Sequence, residues 1–93
     1  MLTWPVAKDP NEVLDYQFDW GSFRLEPGET IVTSTFPEIT GTIVLGDTSI
    51  DGGFTTFWVS GGTAGETCDI TNRVTTSEGR TYDQTGRLRI RSN

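Results

Sequence analysis

The sequence predicts an all-β domain, an antiparallel sandwich of six to seven strands, and three observations support that fold class. Sixteen of the 93 residues are threonine and ten are aromatic, and both kinds of side chain favour strands over helices. Turns rich in glycine or proline separate short runs of alternating apolar and polar residues, a spacing typical of a sandwich or a small barrel. No stretch shows the apolar period of a helix. A chain of this length is expected to form one domain.

The chain is predicted to divide into an extended N-terminal arm, residues 1–12, and a sandwich domain, residues 13–93. Pro5 and Pro10 lack a backbone donor and push the preceding residue toward an extended conformation, so no core strand is expected in the arm. Trp4 stands out, because a large aromatic side chain is seldom left free in a flexible segment. Two interpretations stay open: Trp4 folds back on the domain, or it anchors the arm on a neighbouring protein.

The alternation of apolar and polar residues predicts six strands and the inner faces of three of them. The strands cover residues 13–20, 30–36, 41–45, 54–60, 67–76 and 80–91. The expected inner-face residues are Leu14, Tyr16, Phe18 and Trp20 in the first strand, Cys68, Ile70 and Val74 in the fifth, and Tyr82, Leu88 and Ile90 in the last. Asn72 interrupts the inner face of the fifth strand. Gly86 falls on the inner register of the last strand and is expected to mark a bulge or a bend.

The second and third strands are less regular. Val32 and Phe36 are expected on one face of the second strand and Ile31 on the other, with Pro37 ending the strand. The third strand is expected to be short and to end at Gly46.

The charge of the chain is unevenly distributed. Thirteen acidic and seven basic residues give a net charge of −6; residues 1–72 carry −9 and residues 73–93 carry +3. The acidic body repels nucleic acid and anionic lipid, so neither is an expected partner. Arg87, Arg89 and Arg91 are predicted to face outward on the last strand, where they suit an acidic protein surface.

The residue types argue against catalysis, and no catalytic, cofactor or metal site is predicted. The chain has no histidine, which excludes histidine-dependent nucleophile pairs and histidine-ligated metals. Its one cysteine, Cys68, cannot build a zinc or iron–sulfur site and is expected to be a small buried apolar residue. Asp15 and Asp19 fall on the outward face of a strand, and residues 47–52 resemble an ordinary turn more than a calcium loop.

Two elements are predicted to form protein interfaces. The reasons are the aromatic residue in an otherwise unanchored arm and the clustered arginines of the last strand. The predicted interface residues are Trp4, Pro5, Pro10, Arg87, Arg89 and Arg91.

Four segments together cover most of the chain and resemble small structural proteins of tailed bacteriophages and prophages, of the fibre–tail adaptor or tail-accessory kind. The segments are Leu2-Thr3-Trp4-Pro5 with Lys8-Asp9-Pro10 running into Glu12–Tyr16 and Asp19-Trp20, then Val59–Glu66, then Thr71–Thr76 followed by Gly79-Arg80, and finally Arg87–Arg91. None of them is a catalytic signature.

The resemblance implies an immunoglobulin-like sandwich that is a non-enzymatic component of the virion. It implies a tail adaptor that links tail or fibre components to the particle, with other virion proteins as partners and several copies in each particle. The first five residues lack the charged and apolar regions of a secretory signal, so synthesis in the cytoplasm of the bacterial host is expected. Virion subunits are commonly held by arms and added strands, in agreement with the predicted interface elements.

Two alternatives stay open. The first is a capsid decoration or head–tail joining protein, which differs from a tail adaptor in copy number. The second is a carbohydrate-binding module, which needs two or three exposed aromatic residues in a flat platform. The nearby aromatic residues, Tyr16, Trp20 and Trp58, are all predicted to face inward, which argues against the second alternative.

Overall fold

The computed structural model describes residues 2–22 and 24–92, which form seven β-strands and, within those ranges, no helix. The strands are β1 (Leu2–Thr3), β2 (Leu14–Asp19), β3 (Ile31–Ile39), β4 (Ile43–Asp51), β5 (Phe54–Gly61), β6 (Thr67–Thr76) and β7 (Thr81–Arg89). The predicted all-β sandwich is confirmed.

The strands form two sheets, with the order β1-β7-β6-β3 in one and β2-β5-β4 in the other. Neighbouring strands are antiparallel except for β1 and β7, which are parallel. The grouping of β2, β5 and β4 against β3, β6 and β7 is one that an immunoglobulin-like domain has. That finer assignment stays a prediction.

The core lies between the two sheets. Its buried apolar members are Phe18, Trp20, Ile31, Phe57, Val59, Cys68, Ile70, Val74, Leu88 and Ile90. Tyr16 and Tyr82 are partly buried against this cluster. The predicted inner faces of β2, β6 and β7 are therefore confirmed.

Asn72 is a buried polar link between the sheets. Its Oδ1 accepts hydrogen bonds from Trp20 Nε1 at 3.0 Å and from Thr55 Oγ1 at 2.6 Å, both from the β2-β5-β4 side. Its Nδ2 donates to Ser34 Oγ and to the Thr35 carbonyl oxygen, each at 2.9 Å. A buried amide is stable only when its polar atoms have such partners. The apparent interruption of the inner face is thus a satisfied hydrogen-bond centre.

The predicted faces and end of β3 are wrong, because the strand contains two register shifts. The first lies between Ile31 and Thr33 and places Ile31 in the core, while Val32 is 59% exposed. Phe36 packs inward against Phe57, with ring centroids 5.1 Å apart. The second shift includes Pro37, and the strand continues to Ile39. Because β3 is an edge strand, a proline at a bulge is tolerated there.

One other strand prediction needs correction. β4 does not end at Gly46; its pairing with β5 shifts register between Leu45 and Thr48, and the strand then runs to Asp51. No core strand was expected in residues 1–12, and the structure adds the two-residue strand β1 there, at the edge of the sheet beside β7. The division into an arm of residues 1–12 and a domain of residues 13–93 stays a prediction.

Candidate functional site

The N-terminal segment runs along β7 and is held by backbone hydrogen bonds. Leu2 lies opposite Gly86 in the β1–β7 register. The Trp4 amide donates to the Arg87 carbonyl at 3.1 Å. At the far end, the Lys8 amide donates to the Arg89 carbonyl at 2.9 Å. Of the two interpretations of Trp4, the one in which it folds back on the domain agrees with this structure.

The Trp4 ring fills a space between the sheets that exists because residue 86 is a glycine. The ring centroid lies 5.3 Å from those of Tyr16 and Phe18 and 5.7 Å from that of Phe57, in tilted or edge-to-face arrangements. A Cβ atom on Gly86 would lie 2.5 Å from Trp4 Cζ3. Gly86 was expected to mark a bulge or a bend, and the unbroken β6–β7 register at this point excludes the bulge. The glycine gives room to the indole instead.

Lys8 fixes the end of the same segment. Its side chain is fully buried, and Nζ donates to the Gly61 carbonyl at 2.6 Å and to the Asp9 carbonyl at 2.9 Å. Gly61 begins the glycine-rich corner between β5 and β6 and has a φ of 74°. Sequence reasoning missed this residue, because lysine is almost always exposed. The bonds to two carbonyls keep the buried ammonium solvated by the backbone.

The predicted arginine stripe is partly neutralised within the chain. Arg87 Nε donates to Asp69 Oδ1 at 3.0 Å, and this carboxylate raises the pKa of Arg87. Arg89 is half-buried, and its Nη2 donates to the Pro5 carbonyl at 3.2 Å. Arg91 is exposed. Only this last guanidinium is thus left fully available to a partner.

The structure brings most of the six predicted interface residues to one edge of the sandwich. Trp4 and Pro5 follow β1, and the three arginines lie on or just after β7 beside them. Pro10 lies in the next turn, where the Glu12 amide donates to the Asp9 carbonyl at 3.0 Å. We call this region, residues 4–10 with Arg87, Arg89 and Arg91, the arm edge. Its role as an interface stays a prediction.

The opposite sheet carries a feature that sequence reasoning placed wrongly. Trp58 was expected to face inward, but it lies on the outer face of β5 and its side chain is 43% exposed. The inner positions of β5 are Thr55, Phe57 and Val59, which are buried. The alternation of β5 was the available signal, because Trp58 lies between two inner positions. Tyr16 and Trp20 do face inward, as predicted.

The thiol of Cys68, the one cysteine of the chain, is expected to be unreactive. Cys68 is fully buried, its Sγ donates to Glu66 Oε1 at 3.3 Å, and burial raises its pKa to about 12. The thiol therefore stays protonated at neutral pH and is a poor nucleophile. Across residues 2–22 and 24–92, no three metal-ligating side chains of the His, Cys, Asp or Glu types come together. The same ranges hold no helix that is long and apolar enough to cross a membrane.

A match to a known protein family indicates what kind of protein this chain is. Residues 8–89 match the model of the family described as "Podophage GP4 fiber-tail adaptor protein gp77". The chain belongs to this family. Its members are structural proteins of phages, so membership implies a virion component that contacts other tail or fibre proteins. The resemblance to phage fibre–tail adaptors seen in the sequence is confirmed.

The match to the fibre–tail adaptor family covers β2 to β7 but leaves out β1 and part of the arm edge. Trp4, Pro5 and Arg91 lie outside residues 8–89, so family membership does not assign them a role. No curated protein matches the chain.

Proposed function

We propose that the chain is a non-enzymatic adaptor that links tail or fibre components to the phage particle and docks through the arm edge. Family membership supports the adaptor role. The docking site is inferred from the attachment of residues 2–8 along β7. These residues form a fixed edge of the sandwich and not a separate arm. A preordered edge loses little conformational entropy when it binds.

The arm edge combines apolar and basic groups that suit an acidic partner. Val6 is 75% exposed, and the exposed Arg91 lies beside the end of the same segment, where its amide donates to the Lys8 carbonyl at 2.9 Å. Exposed apolar side chains next to arginine are typical of interface centres. Trp4 and Lys8 contribute by holding the segment in place.

Particle incorporation tests this proposal. A phage lacking its own copy of the gene is complemented with the triple charge reversal Arg87→Glu, Arg89→Glu and Arg91→Glu, or with Val6→Glu, and the chain is quantified in purified particles. Both variants should reduce incorporation about tenfold or more, as loss of a central interface contact does. Arg73→Glu is the matched control, since Arg73 forms a similar surface ion pair, with Asp83 at 2.8 Å, on β6. Normal incorporation of folded variants would contradict the proposal.

Copy number separates the adaptor from a capsid decoration protein. A tail-proximal ring requires a few to about a dozen copies in each particle, whereas decoration requires hundreds. Quantitative mass spectrometry of purified virions measures this number. A count in the hundreds would favour decoration.

A further inference from the structure

The outer face of the β2-β5-β4 sheet has a depression beside Trp58. The depression has a volume of about 360 Å³ and is lined by Val13, Gly46, Asp47 and Trp58. We call it the Trp58 depression. It lies on the central strand of its sheet and is separate from the arm edge, which belongs to the other sheet.

The indole is available because its neighbour across the strands is a glycine. A Cβ atom on Gly46 would lie 3.3 Å from Trp58 Cβ, so a side chain there would press on the base of the Trp58 side chain. Val13 is also strongly exposed. A tryptophan left open beside a depression of this size is typical of a binding surface rather than of scattered apolar exposure.

The charge around the depression is negative and uncompensated. Asp47 lines it, and Asp15 lies directly opposite Trp58 in the β2–β5 register. Asp19 and Asp51 continue the same face, each opposite Phe54. The ion pairs among the described residues are Arg73–Asp83, Arg80–Glu29 and Arg87–Asp69, so none of these four aspartates has a cationic partner. The complementary ligand carries positive charge.

An arginine side chain fits this combination better than a lysine. Its planar guanidinium stacks on an indole face and donates in a fixed fork to a carboxylate, whereas an ammonium group is a compact point charge. The volume suits one side chain rather than a helix.

A second copy of the chain is a poor source of that arginine, because Arg91, the exposed arginine that the contacts below leave open, belongs to the arm edge, which the proposed function assigns to a different partner, and Arg24 stacks over Tyr82. Lys8 is buried, Arg73, Arg80 and Arg87 are ion-paired, and Arg89 donates to the Pro5 carbonyl.

We propose that the Trp58 depression binds an arginine side chain presented by a basic segment of another protein. This goes beyond the proposed function, because it assigns a second contact surface on the opposite sheet and the chemistry of its partner. An adaptor with the arm edge on one sheet and the Trp58 depression on the other contacts two different proteins at once.

The test is a nuclear magnetic resonance titration of the full-length, ¹⁵N-labelled chain with capped tripeptides in which arginine, lysine or citrulline stands between two glycines. The Trp58 indole resonance should shift saturably with the arginine peptide, with a dissociation constant on the order of 1 mM. Compared with the arginine peptide, the lysine peptide should bind about fivefold more weakly, and the neutral citrulline peptide at least about tenfold more weakly. The indole of Trp20, which is buried and bonded to Asn72, should not move.

Two pairs of variants, each with a matched control, locate the site. Binding of the arginine peptide to them is followed by the shift of the Gly46 amide resonance. Trp58→Ala and Asp47→Asn should each weaken arginine binding about tenfold or more. Phe54→Ala and Asp51→Asn should change it by about twofold at most, because these residues lie on the same two strands but outside the depression. An unchanged Trp20 indole shows that each variant is folded.

Three results would overturn the proposal. The first is no saturable shift at Trp58, and the second is equal binding of the citrulline peptide. The third is a saturable shift with glucose or galactose but not with arginine, which would assign the depression to a glycan. Because the titration uses the isolated chain, its failure is distinguishable from a failure of arm-edge docking in particles.

Discussion

The packing of Trp4 against Gly86 predicts that one added methyl group will release the N-terminal segment. A Cβ atom on Gly86 would lie 2.5 Å from Trp4 Cζ3, where ordinary contact begins at 3.4 Å. The ring must therefore retreat by about 1 Å or leave its space. Retreat is blocked by the rings of Tyr16, Phe18 and Phe57, whose centroids are 5.3 to 5.7 Å away.

The loss of stability caused by Gly86→Ala cannot exceed the free energy of unfolding that the packed Trp4 side chain contributes. Overpacking of a core costs about 1–3 kcal/mol, and removal of a fully buried tryptophan about 3–5 kcal/mol. Since Trp4 is only partly buried, we expect Trp4→Ala to cost about 2–3 kcal/mol. Gly86→Ala should lower the free energy of unfolding by about 2 kcal/mol. The loss cannot be much larger, because the Trp4 ring leaves its space once the strain exceeds the stability that its packing contributes.

A double-mutant cycle measures this coupling. Urea unfolding followed by circular dichroism gives the free energy of unfolding of the wild type, the two single variants and the double variant. The double variant should be about as stable as Trp4→Ala alone, because the clash no longer exists. Gly21→Ala is the control: its Cβ atom would meet its nearest neighbour at 3.6 Å, so we expect a change within about 0.5 kcal/mol.

Two outcomes would refute this account of Gly86. One is a Gly86→Ala variant as stable as the wild type. The other is a penalty for Gly86→Ala that persists unchanged in the Trp4→Ala background, since the strain would then lie elsewhere.

Three further predictions concern the polar groups of the fold. Lys8→Met should lower the free energy of unfolding by about 1–3 kcal/mol, since the Gly61 and Asp9 carbonyls lose a charged donor; equal stability in urea unfolding would contradict this. The Glu29 carboxylate accepts hydrogen bonds from the Thr76 hydroxyl, which has the larger effect, and from the Glu26 amide, and these bonds hold the pKa of Glu29 below its ordinary 4.5. The stability that Glu29 contributes is therefore present above pH 4.5 and lost as the pH falls through the lowered value, so the stability gap between wild type and Glu29→Gln should narrow in acid. A gap independent of pH would refute this. Cys68, with its pKa raised to about 12, should react with a disulfide reagent only as fast as the protein unfolds; rapid labelling of the folded chain would show that the thiol is accessible.

The sequence predicted the fold class and three inner faces because one face of each strand is buried. Where burial alternates regularly, as along β6 from Cys68 to Val74, the pattern determines which residues face the core. In β3 the bulge after Ile31 changes the parity, so Val32 and Phe36 do not share a face. A bulge of this kind has no pattern that a single sequence reveals.

The candidate surfaces were predicted less completely, because they depend on contacts between distant residues. The parallel pairing of Leu2 with Gly86 joins the two ends of the chain and leaves no local signal. Lys8 is buried against the usual preference of lysine. Trp58 was predicted to face inward, but the alternation of β5, with Phe57 and Val59 buried on either side of it, places it on the outer face.

If the chain is a fibre–tail adaptor, as we propose, it lies between the tail and its fibres. A cryo-electron microscopy map of the intact virion, with the chain identified by fitting this sandwich, tests it most directly. We expect a few to about a dozen copies at the junction of tail and fibre, each contacting different proteins through the arm edge and the opposite sheet. Copies spread over the capsid surface would contradict it.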